Sequence, residues 1–144
     1  MPEEKKYTIL IVDDEPTNIA VLNAMLRYNY KVKAALNGED AIKVAKSYPQ
    51  PDLILLDVIM DEMDGFEVCE IIKNNKNTKH IPIIFVSALN ESKSDKKGIE
   101  IGAIDFFNKP YSAPIILKRI ENHLSSLQKS RYLDELIQQT DNGA

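Results

Sequence analysis

Cysteine is nearly absent from this 144-residue sequence, which contains one, Cys69. One cysteine excludes an internal disulfide bond and a zinc site built from several cysteine ligands. We therefore expect a reducing, cytoplasmic setting. Cys69 falls on the apolar face of a predicted helix, so we interpret it as a core residue.

Long apolar runs and an excess of positive charge are also missing. No apolar run approaches the roughly 20 residues that span a membrane, and residues 1–6 lack the apolar core of a signal peptide. The formal net charge is −4, whereas a nucleic-acid surface normally needs a basic patch. We therefore expect no membrane insertion and no direct nucleic-acid binding by this chain.

The sequence does have enough apolar residues for a core, at 44% of its length. Segment 52–57 places four large apolar residues between two aspartates. Such a continuous run is typical of a strand that is covered on both faces, in the middle of a parallel sheet. Asp57 would then lie at the carboxyl end of that strand, where open α/β sheets bind ligands.

Strand and helix patterns alternate five times along the chain, which predicts a doubly wound parallel α/β sheet with right-handed crossovers. The strand patterns are residues 7–12, 30–35, 52–57, 81–87 and 104–108. The helix patterns include one that begins at Pro16 after an acidic cap, one from Glu91 to Glu100, and a last one that begins near Ser112.

Polar side chains follow four of these strands, at what would be one edge of the sheet. They are Asp13 and Asp14, Asp57, Ser87, and Lys109. Three carboxylates in one pocket repel one another and need a cation, and a hard ion with a few oxygen ligands describes Mg²⁺. A lysine can meet a phosphate as a point charge, and Asp57 could attack phosphorus to form an acyl phosphate.

Each of these residues also has a plainer explanation when taken alone. Asp13 or Asp14 could cap a helix, Ser87 could be an ordinary hydroxyl at a strand end, and Lys109 could be a solvated surface residue. The occurrence of all these residues at one edge of the sheet favours the interpretation that they form a functional site.

Five motifs together resemble the receiver domain of two-component response regulators. They are Val12 to Glu15 (VDDE), Leu55 to Asp57 (LLD), Met60 to Gly65 (MDEMDG), Ser87-Ala88 and Lys109-Pro110. The resemblance implies a flavodoxin-like fold, with five parallel strands in the order 2-1-3-4-5 flanked by five helices. It covers residues 7–127, between a tail at 1–6 and a helical extension or linker at 128–144.

The resemblance also implies roles for individual residues. Asp57 becomes the phosphoacceptor, and Asp13, Asp14, Asp57 and the backbone carbonyl of Ile59 become the Mg²⁺ site. Ser87 and Lys109 become phosphate contacts, and the Lys109–Pro110 bond is expected to be cis.

The resemblance further implies that Ser87 and Phe106 are the switch residues, with Phe106 as the aromatic one. The alternative is that Phe106 is simply a core residue.

The partner that the resemblance implies is a sensor histidine kinase or a histidine phosphotransfer protein. Phosphorylation would switch the surface formed by the fourth helix, fifth strand and last helix, and so control an output or a partner. A homodimer through that surface or through the C-terminal helix is a further expectation. The chain would be a signalling domain and not an enzyme, although an output enzyme domain could belong to the parent protein.

The sequence departs from the family pattern at Asp61, where the family usually has proline. We expect this to make the loop at 60–65 more acidic and more mobile. A second reading of Asp57 is an aspartyl-nucleophile, Mg²⁺-dependent phosphatase. Such enzymes generally need an acid two residues after the nucleophile, where this chain has Ile59. A flavin carrier is a third reading, but the acidic loop at 13–15 would repel a flavin phosphate.

The last helix is predicted to run from residue 112 to 139, which is about 42 Å. Its apolar spacing is partly that of a coiled coil, but Arg131 and Asp134 interrupt it. The segment resembles the signalling helix that joins receivers to a following output domain. A long helix with a frayed, solvated end is the plainer alternative.

Overall fold

The computed structural model describes residues 6–87, 99–110 and 112–142, and within these it contains five strands and four helices. The strands are β1 (Thr8–Val12), β2 (Lys31–Ala35), β3 (Leu53–Asp57), β4 (Ile83–Ser87) and β5 (Asp105–Asn108). The helices are α1 (Pro16–Leu26), α2 (Gly38–Lys46), α3 (Gly65–Lys73) and α4 (Ala113–Asn142).

All five strands are parallel and lie in the order β2-β1-β3-β4-β5. This confirms the predicted doubly wound sheet and its order. Every residue of β1, β3 and β4 is buried, whereas the edge strand β2 is mostly accessible to solvent. The central strands are continuous apolar runs because both of their faces are covered. The helix predicted at 91–100 lies outside the described residues except for 99–100, which are helical.

Side-chain caps fix where two of the helices begin. Asn37 accepts a hydrogen bond from the backbone N–H of Asp40 at 2.8 Å, and Asp64 accepts one from Glu67 at 2.9 Å. Both are N-caps that satisfy a donor of the first turn. The cap expected before Pro16 is wrong in one respect, because Glu15 occupies the N-cap position of α1 without a side-chain cap bond.

The core of the sheet includes a row of aromatic contacts. The ring of Phe85 on β4 is fully buried, lies 5.1 Å from the Phe66 ring in an edge-to-face arrangement, and lies 6.0 Å from the Phe106 ring. Such offset contacts stabilise aromatic pairs beyond the burial of their area. Cys69 is fully buried in the same core, as predicted.

The chain divides into two compact units, with the division between Tyr111 and Ser112. Within the described residues, the second unit is Ser112 followed by the 30-residue helix α4, which is about 45 Å long. The burial of its apolar side chains changes along the helix. Ile116, Ile120 and Leu124 are buried, while the large apolar residues from 132 to 137 are exposed. No helix in the described part of the chain has the length and apolar character needed to cross a membrane.

Candidate functional site

Three carboxylates converge at the carboxyl edge of the sheet. Asp57 is the last residue of β3, and Asp13 directly follows β1. The parallel register that pairs Val12 with Leu56 therefore brings Asp13 and Asp57 out side by side. With Asp14, one oxygen from each carboxylate lies within 4.8 Å of the others. Asp13 and Asp57 are buried, at 2% and 7% exposure, and Asp14 is half-buried.

This environment disfavours the charged form of Asp57. Burial, followed by the negative charge of Asp13, raises the pKa of Asp57 from 3.8 to about 6. Asp14 adds to the rise, whereas Lys109 and a hydrogen bond from the backbone of Ile59 oppose it. A bound cation would reverse the effect of the crowded carboxylates, since an ion is usually the largest local charge in such a site.

The donor set suits a hard divalent cation. All three side chains offer carboxylate oxygens, the ligands that Mg²⁺ prefers, and Mg²⁺ needs only one or two carboxylates because it keeps several waters. The residues present therefore fit Mg²⁺. Ile59 is two residues after Asp57, in the loop that follows β3, and the role of its carbonyl stays a prediction.

Lys109 links the acidic cluster to the ends of β4 and β5. Its Nζ lies 3.5 Å from Oδ2 of Asp13, in a pair whose side chains are 22% and 4% exposed. Its backbone N–H donates to the carbonyl of Ser87 at 2.8 Å. Ser87 is the fully buried last residue of β4, and the Lys109–Pro110 bond is cis, as predicted. The structure therefore places all five side chains of the predicted site at one edge of the sheet.

The loop from β3 to α3 folds closely against the end of its own strand. The N–H of Gly65 donates to the carbonyl of Val58 at 2.8 Å. A Cβ at Gly65 would collide with the carbonyl oxygen of Asp57 and lie 2.8 Å from Cα of Val58. Only glycine permits this approach, so Gly65 shapes the site without contributing a side chain.

One contact of the site was missed by the sequence analysis. The backbone N–H of Asp61 donates to Oδ2 of Asp14, with an N–O distance of 3.1 Å. The signal that could have found it is the departure from proline at this position, since proline has no N–H to donate.

Phe106 is half-buried on β5, beside the fully buried Phe85 of β4. Its ring is tilted by 47° against that of Phe85. The packing agrees with the reading of Phe106 as a core residue, and its role as a switch stays a prediction.

The family model of the response regulator receiver domain matches residues 9–121 of this chain. The chain therefore belongs to the response regulator receiver family, whose members act in phosphorelay signalling.

Two curated relatives match nearly the whole chain. The probable cyclic di-GMP phosphodiesterase of Vibrio cholerae is 42% identical over 98% of this chain and 31% of its own length. The response regulator PleD of Caulobacter vibrioides is 38% identical over 94% of this chain and 29% of its own length. The chain thus spans about a third of the length of these relatives.

The solved structures that resemble this chain include an activated receiver. The BeF3-activated receiver domain of DrrB, a protein of Thermotoga maritima, is 28% identical and superimposes with a TM-score of 0.75. The match covers 84% of this chain and 99% of the DrrB domain. The predicted fold is thereby confirmed by comparison as well as by the strand order.

Proposed function

We propose that Asp57 is the phosphoacceptor of this receiver and takes its phosphoryl group from a sensor histidine kinase or a histidine phosphotransfer protein. The observation that carries the proposal is the convergence of Asp13, Asp14 and Lys109 on Asp57 at the carboxyl edge of the sheet. A buried carboxylate with two further acids and a lysine beside it suits metal-assisted phosphoryl transfer better than a purely structural role.

In the proposed reaction, a carboxylate oxygen of Asp57 attacks the phosphorus of a phosphohistidine. A P–O bond forms, the P–N bond breaks, and the imidazole leaves, so that an acyl phosphate results. Mg²⁺, held by Asp13, Asp14, Asp57 and the carbonyl of Ile59, would neutralise charge on the phosphoryl oxygens. Asp13 and Asp14 would hold the cation, and most of the catalysis would come from positioning.

Lys109 and Ser87 would contact the phosphoryl oxygens. Lys109 is paired with Asp13 at 3.5 Å, and a new dianionic group nearby would compete for its ammonium group. Because the N–H of Lys109 is bonded to the carbonyl of Ser87, a shift at either residue reaches the ends of both β4 and β5. We propose that this shift, with Phe106, changes the surface around β5 and so controls the output.

The output is proposed to be an enzyme, encoded in the same polypeptide or recruited as a partner. The phosphodiesterase relative supports this proposal, because the region that matches this chain makes up 31% of that relative. This chain itself would be a cytoplasmic signalling domain. Self-association through the C-terminal helix is proposed because Leu133, Leu136 and Ile137 are exposed there.

The test is chemical phosphorylation followed by intact mass measurement. With Mg²⁺ and acetyl phosphate, the mass should rise by about 80 Da, the mass of one added phosphoryl group. Asp57→Asn should show no increase. Asp52→Asn is the matched control, because Asp52 lies just before β3, at the opposite end of the strand, where it accepts a hydrogen bond from Thr8. Phosphorylation of the Asp57→Asn protein would refute the assignment.

A further inference from the structure

The loop between β3 and α3 is tied to a residue of the proposed metal site. The bond from the N–H of Asp61 to Oδ2 of Asp14 joins positions 47 residues apart in the chain. Asp61 is exposed and Asp14 is half-buried. The bond therefore connects a surface loop to a carboxylate of the acidic cluster.

This bond has two physical effects on Asp14. A carboxylate has two oxygens with about four lone-pair positions, so one N–H fixes its orientation and leaves other positions for a cation. An N–H that points at a carboxylate also stabilises its negative charge. That stabilisation offsets part of the repulsion from Asp13 and Asp57, whose oxygens lie within 4.8 Å.

Two contacts hold the loop that carries the donor, the backbone N–H of Asp61, in place. On one side, the N–H of Gly65 is bonded to the carbonyl of Val58 at 2.8 Å. On the other, Met63 packs so closely against α2 that a Cβ on Gly38 would lie 2.8 Å from its sulfur. Glu62, next to Asp61, has a φ of 67°. A non-glycine residue in this left-handed region persists only where the surrounding structure determines it.

We infer that Asp61 is a positioning residue for the metal site, through its backbone N–H and not through its carboxylate. The N–H holds Asp14 in the orientation that receives Mg²⁺. This role rests on the proposed function, because it requires that Asp14 binds the cation. It makes the loop conformation a determinant of metal affinity in this chain.

The first experiment compares two substitutions at one position. Asp61→Pro removes both the N–H and the carboxylate, whereas Asp61→Ala removes the carboxylate alone. Calorimetric titration of the complete chain should show Mg²⁺ affinity within about twofold of the unchanged protein for Asp61→Ala, since the lost charge is exposed and screened. Asp61→Pro should bind about tenfold more weakly than Asp61→Ala, equivalent to about 1.4 kcal/mol. Equal affinities of the two variants would overturn the role.

Proline also restricts the residue before it, so a second measurement avoids proline. In metal-free protein, amide hydrogen exchange at Asp61 should be several-fold faster in Asp14→Ala than in the unchanged chain. The Gly65 amide is the control, because its partner is the carbonyl of Val58, and its exchange rate should not change. An unchanged rate at Asp61 would overturn the inference even if Asp61→Pro fails to fold.

The two proposals fail in different ways. If the unchanged protein binds no Mg²⁺, the proposed metal site is wrong, and the positioning role is lost with it. If the unchanged protein binds Mg²⁺ and Asp61→Pro matches Asp61→Ala, the metal site stands and the role of Asp61 alone is refuted.

Discussion

The side chain of Asp57 lies where burial and the charges of Asp13 and Asp14 all oppose its ionisation. Reactive groups in enzymes and switches often occupy such places, because the arrangement that makes the group useful also destabilises it. Ionisation of Asp57 in the folded chain therefore lowers the free energy of unfolding. The pH dependence of that free energy should reveal the effect.

Asp57→Asn should stabilise the metal-free protein at neutral pH and have little effect at pH 4. The pKa of Asp57 is about 6 in the folded chain against 3.8 as its ordinary value. Between these values the folded state binds more protons, so the unfolding free energy contributed by Asp57 falls as pH rises through this window. Two pKa units correspond to about 3 kcal/mol, so the gain at pH 7 should be about 2–3 kcal/mol.

The measurement is urea unfolding of both proteins at pH 7 and pH 4 in a chelating buffer. The pH 4 comparison is the control for any effect of the amide other than its neutrality. A stabilisation of equal size at both pH values would show that charge at Asp57 is not its cause.

The cluster around Asp57 could be predicted from the sequence because carboxyl ends of parallel strands share one edge. Asp13, Asp57 and Lys109 are each fixed by a strand that ends beside them. The bond from Asp61 to Asp14 could not be predicted in the same way. The absence of proline at position 61 supplies the N–H, but its partner depends on a loop conformation that includes Glu62 in the left-handed region, which the sequence pattern does not predict.

Among the elements, the loop from β3 to α3 brings the start of a helix back onto the end of the preceding strand. Gly65 is its closest point of approach, because its missing side chain leaves room for the carbonyl of Asp57. One backbone contact therefore fixes how closely the loop approaches Asp57.

Gly65→Ala should destabilise the fold and weaken the metal site together. The added methyl group collides with backbone atoms of Asp57 and Val58, which cannot move aside as a flexible side chain would. We expect a loss of about 2 kcal/mol or more in unfolding free energy, as for other substitutions that force backbone shifts. Mg²⁺ affinity should fall as well.

Urea unfolding and calorimetry of the same samples check the prediction. Glu67→Ala, an exposed position in the same helix, is the control and should change neither quantity by much. A Gly65→Ala protein as stable as the control variant would contradict the close approach.

The elements themselves were predictable to different degrees. The central strands β1, β3 and β4 follow from continuous apolar runs, because burial on both faces confines polar residues to the strand ends. The cap of α1 was not predicted correctly, because the acidic residue before the helix, Glu15, forms no side-chain cap bond. The N–H of Glu15 donates to Oδ1 of Asp13 at 2.9 Å, so this turn is organised around the site and not around a helix cap.

At the scale of the whole molecule, the described residues of the first unit hold the acidic cluster and the second unit is the single helix α4. All side chains of α4 described from residue 128 to 139 are exposed. The stability of a chain resides in its buried contacts, so an exposed terminal segment contributes little to it. The boundary expected at residue 127 stays a prediction, since the two compact units divide between residues 111 and 112.

A chain that ends at Leu127 should therefore fold as stably as the complete chain but associate less. Removal of residues 128–144 takes away Leu133, Leu136 and Ile137, which are exposed. We expect the unfolding free energy to change by no more than about 0.5 kcal/mol, as for surface changes in general. Exposed apolar side chains at helical spacing are the kind of surface that a second copy can cover.

Sedimentation equilibrium of both chains, with and without phosphorylation, measures the association. Urea unfolding at a concentration where both chains are monomeric measures the stability. A loss of 2 kcal/mol or more would place part of the folded unit beyond Leu127, and equal association of the two chains would remove the C-terminal helix as the dimer contact.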